Sequence, residues 1–329
     1  MSSPFVSLRS RAAIFVIAAL LGSLGVLAAL VGVGSSSRGR SPADAMVDVG
    51  GYKLNLSCSG EGSPTVLLES GNGPTSAGWA WVQPQIAKTS RVCSYDRAGT
   101  GRSDESPNLR DAQNIALELH QLLDAAEIDR PLVLVGHSYG GLYARQYAAM
   151  YPAEVAGMVL VDSAHPDQWT RHPAAAEQYA AMAASMREPI TVSPPNPPEN
   201  PDLPSSASKR MAVEGNTLKH LNTARAEFLA TGDTNDQVRR SSVSVGGIPL
   251  VVLSATEHDF PPELQVQMES SHLQMQKELS TLSSRALLRL EEGADHNGLL
   301  ANEEMARATA GSIEDVLRAV RPGGTLPVA

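Results

Sequence analysis

Aromatic residues are scarce in this chain. Phe, Trp and Tyr together make up only 4% of its 329 residues, and cysteine occurs just twice. Two cysteines allow at most one internal disulfide and are too few to build a thiolate metal site. No spacing among the eight histidines suggests a metal site either, so neither a metal nor another cofactor is expected. The chain has no basic run and no interleaving of basic with aromatic residues, and its formal net charge is -9, which excludes nucleic acid as a natural partner. It also has no internal repeat, which excludes a solenoid or propeller. The shortage of aromatics accompanies abundant alanine, a bias from which no function follows.

What is present is 42% hydrophobic residues, enough for a substantial core in one large α/β domain or two small ones. Residues 12–34 are uncharged and apolar, and Arg9 and Arg11 precede them. The stretch exceeds the apolar core of an ordinary signal peptide and is long enough to cross a bilayer. Gly32-Val33-Gly34 is a poor cleavage site, and Ala43-Asp44-Ala45 lies far downstream. The segment 1–45 therefore reads as an N-terminal membrane anchor, or a removed signal, followed by a polar linker. Arg38 and Arg40 on its far side leave the orientation open.

From Met46 onward, strand and helix signals alternate. Met46–Val49 and Tyr52–Leu56 form a hairpin pattern across Gly50-Gly51. Short apolar runs follow at Thr65–Leu68, Arg91–Tyr95, Leu132–Val135, Met158–Val161, Pro249–Leu253 and Ala286–Leu290. Ile115, Leu119, Leu122 and Leu123 recur at helical spacing within Ala112–Ala126, and Glu303–Val320 closes the chain as a helix. Strands separated by helices argue for a mostly parallel sheet covered on both faces. The interval 164–243 breaks this rhythm, with helical stretches at Pro173–Met186 and Ala207–Ala230 and six prolines between Pro194 and Pro204. It reads as a mostly helical cap with a mobile proline-rich loop, inserted between core segments 46–163 and 244–329.

The sharpest motif is Gly136-His137-Ser138-Tyr139-Gly140, which follows the apolar run Leu132–Val135 and opens a helix. Such a turn lifts a serine hydroxyl out of the sheet at a strained backbone angle and aims a helix N-terminus at it. Glycines two residues either side avoid a collision where strand and helix nearly touch. Ser138 is thus the candidate nucleophile.

With this elbow, Tyr95-Asp96-Arg97-Ala98-Gly99-Thr100-Gly101-Arg102-Ser103, Val159-Leu160-Val161-Asp162-Ser163 and the late His296, the chain resembles the α/β-hydrolases. The resemblance is to the cap-bearing serine hydrolases, among them esterases, proline-iminopeptidase-like enzymes and carbon–carbon bond hydrolases. It implies an α/β-hydrolase fold with a mostly parallel eight-stranded sheet. It also implies a triad in the order Ser, acid, His. His296, after the last strand, is then the base, while His137 packs beside the nucleophile. His120, His165, His172, His220, His258 and His272 occupy weaker positions. Asp259, after the seventh strand, is the family's acid position, with Glu257 and Asp162 as alternatives. The resemblance places the oxyanion hole at the backbone N–H groups of Tyr139 and Asn72, the latter in Ser70-Gly71-Asn72-Gly73 where the family has His-Gly-x. Trp79 and Trp81 pack near that loop. Trp169, Tyr179, Met182, Met186 and Phe228 of the cap are expected to wall the site.

In the family's sheet, Cys58 and Cys93 fall on neighbouring antiparallel strands. A disulfide there would suit an oxidising compartment, the alternative being two buried thiols. The implied function is a secreted or membrane-tethered serine hydrolase of a small or medium-sized ester. Peptidase or carbon–carbon hydrolase action is the alternative, as is, in another class, a ligand-binding member with vestigial turnover.

Overall fold

The strands Thr65–Leu68, Leu132–Val135 and Met158–Val161 read as unbroken apolar runs because a central parallel strand is buried on both faces. The computed structural model, which describes residues 44–171, 173–195, 199–260 and 262–328, bears this out. Its elements are β1 (Asp44–Asp48), β2 (Lys53–Ser59), β3 (Thr65–Glu69), α1 (Gln83–Ile86), β4 (Val92–Tyr95), α2 (Ala112–Ala125), β5 (Leu132–His137), α3 (Tyr139–Met150), β6 (Val155–Val161), α4 (Pro173–Ser185), α5 (Ser205–Glu214), α6 (Leu218–Leu229), α7 (Thr231–Ser241), β7 (Leu250–Glu257), α8 (Gln265–Ser280), β8 (Ala286–Asp295), α9 (Gly298–Ala301) and α10 (Ala306–Ala319). The sheet has eight strands in the order β1-β2-β4-β3-β5-β6-β7-β8, in which β2 runs antiparallel to both its neighbours, β1 and β4, and every other neighbouring pair is parallel.

Side chains alternate across this sheet with period two. Leu67, Leu134, Leu160 and Val252 face the layer holding Leu119 and Leu122 of α2 and Tyr147 of α3. Val66, Val135, Val161 and Leu253 face the layer holding Ile86 of α1 and Ile313 and Val316 of α10. The expected anchor or signal lies outside the described residues, and among those residues no helix is long and apolar enough to cross a membrane.

Between β6 and β7 the chain forms α4–α7. The helical stretch expected over Ala207–Ala230 is two helices, because Gly215 ends α5 and the Thr217 side chain accepts from His220 N to start α6. Helices α7 and α8 give no clear periodic signal in the sequence, since α7 buries one apolar side chain, Val238, and α8 is largely polar.

Cys58 and Cys93 stand directly opposite each other on β2 and β4 and form a disulfide. Reduction should lower stability by roughly 2–4 kcal/mol. Denaturant midpoints with and without reductant, against a Cys58→Ala/Cys93→Ala control, measure this. Equal midpoints would contradict it.

Candidate active site

Strand β5 delivers Ser138 at φ 54° and ψ -126°, and Ser138 stands at the N-cap of α3. The flanking glycines are required. A Cβ on Gly136 would lie 2.5 Å from the Gly140 carbonyl oxygen, and one on Gly140 would lie 2.3 Å from that of Glu69. Ser138 and His296 line one cavity of about 330 Å³, with Trp169 from the β6–β7 insertion and Phe260, Met268 and Met275 from the β7–β8 connection. Of the expected cap residues only Trp169 lines this cavity. Tyr179 and Phe228 pack against Trp169 instead, at ring separations of 5.5 and 6.4 Å.

Asp162, the residue after β6, holds His296: its Oδ2 accepts from His296 Nδ1 at 2.6 Å. That bond leaves His296 Nε2 as the free nitrogen on the imidazole. Asp162 is buried at 1% exposure and has φ 39°, a left-handed backbone for a non-glycine residue. Its Oδ1 also accepts from His272 Nε2 at 2.9 Å and Ala255 N at 3.1 Å, and its Oδ2 from His258 Nε2 at 3.1 Å. Burial by itself would raise this carboxyl. The three imidazole bonds outweigh burial and hold it well below the usual carboxylate range.

The family position for the acid, Asp259, is not the residue on His296. Asp259 is exposed and lines the cavity, and among the described residues no hydrogen bond joins either it or the exposed Glu257 to the imidazole. The reason is local: the neighbouring residue, His258, turns onto Asp162 from this loop. His258 is further held by Glu269, with Nδ1 3.0 Å from Oε2. Burial lowers its affinity for a proton, but Asp162 and Glu269 together raise its pKa above the usual histidine value.

His137 backs the site. Its Nε2 donates to the His296 carbonyl at 2.9 Å, so it tethers the loop that carries the imidazole. Burial, reinforced by His296, pushes its pKa down to about 3. Below about pH 6.5, where an unfolded histidine protonates, folded His137 refuses the proton, so stability falls with acidification by up to about 1.4 kcal/mol per pH unit. His137→Gln should flatten this acid limb between about pH 6.5 and 4. Urea midpoints across that range test it, and an unchanged slope would refute it.

The loop Ser70-Gly71-Asn72 passes against Ser138, since a Cβ on Gly71 would lie 3.0 Å from Ser138 Cβ. Buried Arg97 grips this loop, donating from Nη1 to the Ser70 carbonyl at 2.7 Å and from Nη2 to the Gly71 carbonyl at 2.8 Å. The same guanidinium pairs with Glu69 of β3 at 2.7 Å and with Glu227 of α6 at 2.8 Å. Asn72 Nδ2 reaches across to the Ala224 carbonyl at 3.0 Å and to Glu227 Oε2 at 3.3 Å. Trp79 donates to Ser70 Oγ at 3.0 Å, while Trp81 bonds the Asp202 carbonyl.

Sequence reasoning passed over His258, Glu269, His272, Arg97 and Glu227. Glu269 and His272 share α8, His258 lies in the loop after β7 and Glu227 in α6, and none of these four stands at a motif spacing. Arg97 alone sits within a quoted motif, and its buried role depends on partners far along the chain.

The profile of the Alpha/beta hydrolase family matches residues 66–310. The protein YqjL of Bacillus subtilis is 28% identical over 198 residues, covering 60% of this chain and 64% of that protein. A 2-hydroxy-6-oxo-2,4-heptadienoate hydrolase of Pseudomonas putida is 35% identical over 119 residues, covering 35% and 43%. The chain spans less than two thirds of the length of these curated relatives. A thermophilic esterase from Thermogutta terrifontis superposes with a TM-score of 0.59 at 20% identity, over 84% of this chain and 98% of that one. The chain belongs to the alpha/beta hydrolase family.

Proposed function

We propose that this member of the alpha/beta hydrolase family is a serine hydrolase that cleaves a carboxylic ester of a small or medium-sized substrate. The observation that carries the reading is Ser138 on its strained elbow in one cavity with a His296 imidazole held by buried Asp162. In this reading Ser138 Oγ attacks the ester carbonyl while His296 Nε2 takes its proton. The backbone N–H groups of Tyr139 and Asn72 receive the developing oxyanion. His296 returns the proton to the leaving alcohol, and Asp162 stabilises the imidazolium between these steps. Water, activated by the same imidazole, then releases the acid from the acyl-enzyme.

The cavity of about 330 Å³ is at the small end of ligand pockets and fits a short acyl group. The matched stretch of the Pseudomonas putida relative, itself named as a hydrolase, supports hydrolytic chemistry. The β6–β7 insertion, with its helices α4–α7, acts as the cap, and Trp169 in the segment before α4 reaches the site, its Nε1 donating to Tyr139 Oη at 2.7 Å. The Cys58–Cys93 disulfide and the apolar stretch 12–34 support a domain held or released outside the cytoplasm.

A panel of p-nitrophenyl esters of graded chain length beside amino-acid arylamides tests this. Short esters should be cleaved fastest, and a fluorophosphonate should label Ser138. Arylamide preference would overturn the ester assignment, and absent labelling would indicate a binding protein.

A further inference from the structure

Asp162, His258 and His272 make a second constellation beside the cavity. His272 Nε2 lies 2.9 Å from Asp162 Oδ1 and His258 Nε2 lies 3.1 Å from Oδ2, and one ligand atom from each of the three residues falls within 4.8 Å of the others. They come from three places in the chain, the ends of β6 and β7 and the middle of α8, so no local turn forces them together.

The geometry around His258 is decisive. Its ring stands between two carboxylates, Glu269 on Nδ1 at 3.0 Å and Asp162 on Nε2 at 3.1 Å. A neutral imidazole has one N–H, so one of these contacts would set lone pair against lone pair. Two species satisfy both contacts. One is the imidazolium. The other is a neutral ring that donates Nδ1–H to Glu269 and gives its Nε2 pair to a cation shared with Asp162. The second is the carboxylate–histidine–metal relay by which proteins orient a ligand histidine. Glu269 is itself held, accepting from Gln265 Nε2 at 3.1 Å.

We propose that Asp162, His258 and His272 bind a divalent first-row cation of the zinc type, and that its binding switches the hydrolase off. Two imidazole nitrogens and one carboxylate oxygen suit such an ion and not magnesium or calcium, which take oxygen ligands. All three residues line the cavity, which gives the ion a way in and room for a water as fourth ligand. Asp162 Oδ2, the oxygen facing His258, is also the one on His296 Nδ1. A cation there takes its electron density and places positive charge beside an imidazole that must itself become positive during turnover. The switch rests on the serine hydrolase reading, whereas the site rests on geometry alone.

Cobalt(II) is the probe for the site. The full chain, stripped with chelator, should bind one equivalent and develop the visible absorption of a low-coordinate nitrogen–oxygen site. His258→Gln and His272→Gln should each weaken binding at least tenfold, and Glu269→Gln by about 10–100-fold. His296→Ala should still bind, because His296 is not a ligand. Zinc should suppress fluorophosphonate labelling of the wild type, and chelator should restore it. Several outcomes overturn the proposal: no cobalt band, binding unchanged in a folded His258→Gln/His272→Gln double variant, binding lost only in His296→Ala, or labelling indifferent to bound zinc. A protein that never labels would refute the hydrolase reading, while the cobalt spectrum would still decide the site.

Discussion

Asp162→Asn should lower ester turnover by about 10⁴-fold, the loss typical when a triad acid becomes an amide and the imidazole takes the wrong tautomer. Asp259→Asn should stay within a few-fold of wild type. The contrast follows from the hydrogen bonds. Both oxygens of Asp162 accept, Oδ2 from His296 and His258 and Oδ1 from His272 and Ala255 N. An amide presents one oxygen and one NH₂, so in either orientation its NH₂ meets groups that were donating. Turnover of the best p-nitrophenyl ester, with circular dichroism to confirm folding, measures this, and Ser138→Ala at about 10⁶-fold sets the floor. A severe Asp259→Asn beside a mild Asp162→Asn would return the acid to the β7 loop and refute the assignment.

The elbow was legible because its chemistry is local. A buried strand, two glycines that tolerate no side chain and a helix start all fall within a dozen residues. The doubly covered sheet was legible for a similar reason, since runs such as Leu132–Val135 are apolar throughout. Which of the candidate carboxylates holds His296 was not legible. Asp162 and Asp259 both follow parallel strands, and only the side chain that reaches His296 separates them. That choice turns on His258, one residue from Asp259, whose partners Asp162 and Glu269 lie 96 and 11 residues away. The insertion hid its role for a related reason. Phe228 looks like a site wall from sequence, yet it packs behind Trp169. One residue before it, Glu227, a charge expected at the surface, is buried at 1% exposure.

Glu227 therefore carries the second large expectation. Its carboxylate takes two bonds from Arg97, at Nε and Nη2, and one from Asn72, so a single residue of the insertion closes the cage around the loop beside Ser138. Glu227→Ala would leave the buried Arg97 with Glu69 as its remaining carboxylate, and breaking a buried pair from one side costs about 3–5 kcal/mol. It would also remove one of the two bonds that hold the Asn72 side chain, leaving the Ala224 carbonyl, and so loosen the residue whose backbone N–H is the proposed oxyanion donor. A displacement of about 1 Å there should lower kcat by about 10²-fold with little change in KM, since the donor acts on the transition state. Glu227→Gln, which keeps the shape and an acceptor oxygen, should recover part of both losses. The exposed Arg102–Asp44 pair is the control, and Asp44→Ala should alter stability by no more than about 1 kcal/mol. Urea denaturation and steady-state kinetics on these variants separate the two effects. If Glu227→Ala were as stable as wild type and turned over normally, the insertion would be no more than a cover. If stability fell while kcat held, Glu227 would brace the fold without positioning the oxyanion loop. Only a joint fall, partly reversed by Gln, fits an insertion that organises the catalytic centre through Arg97.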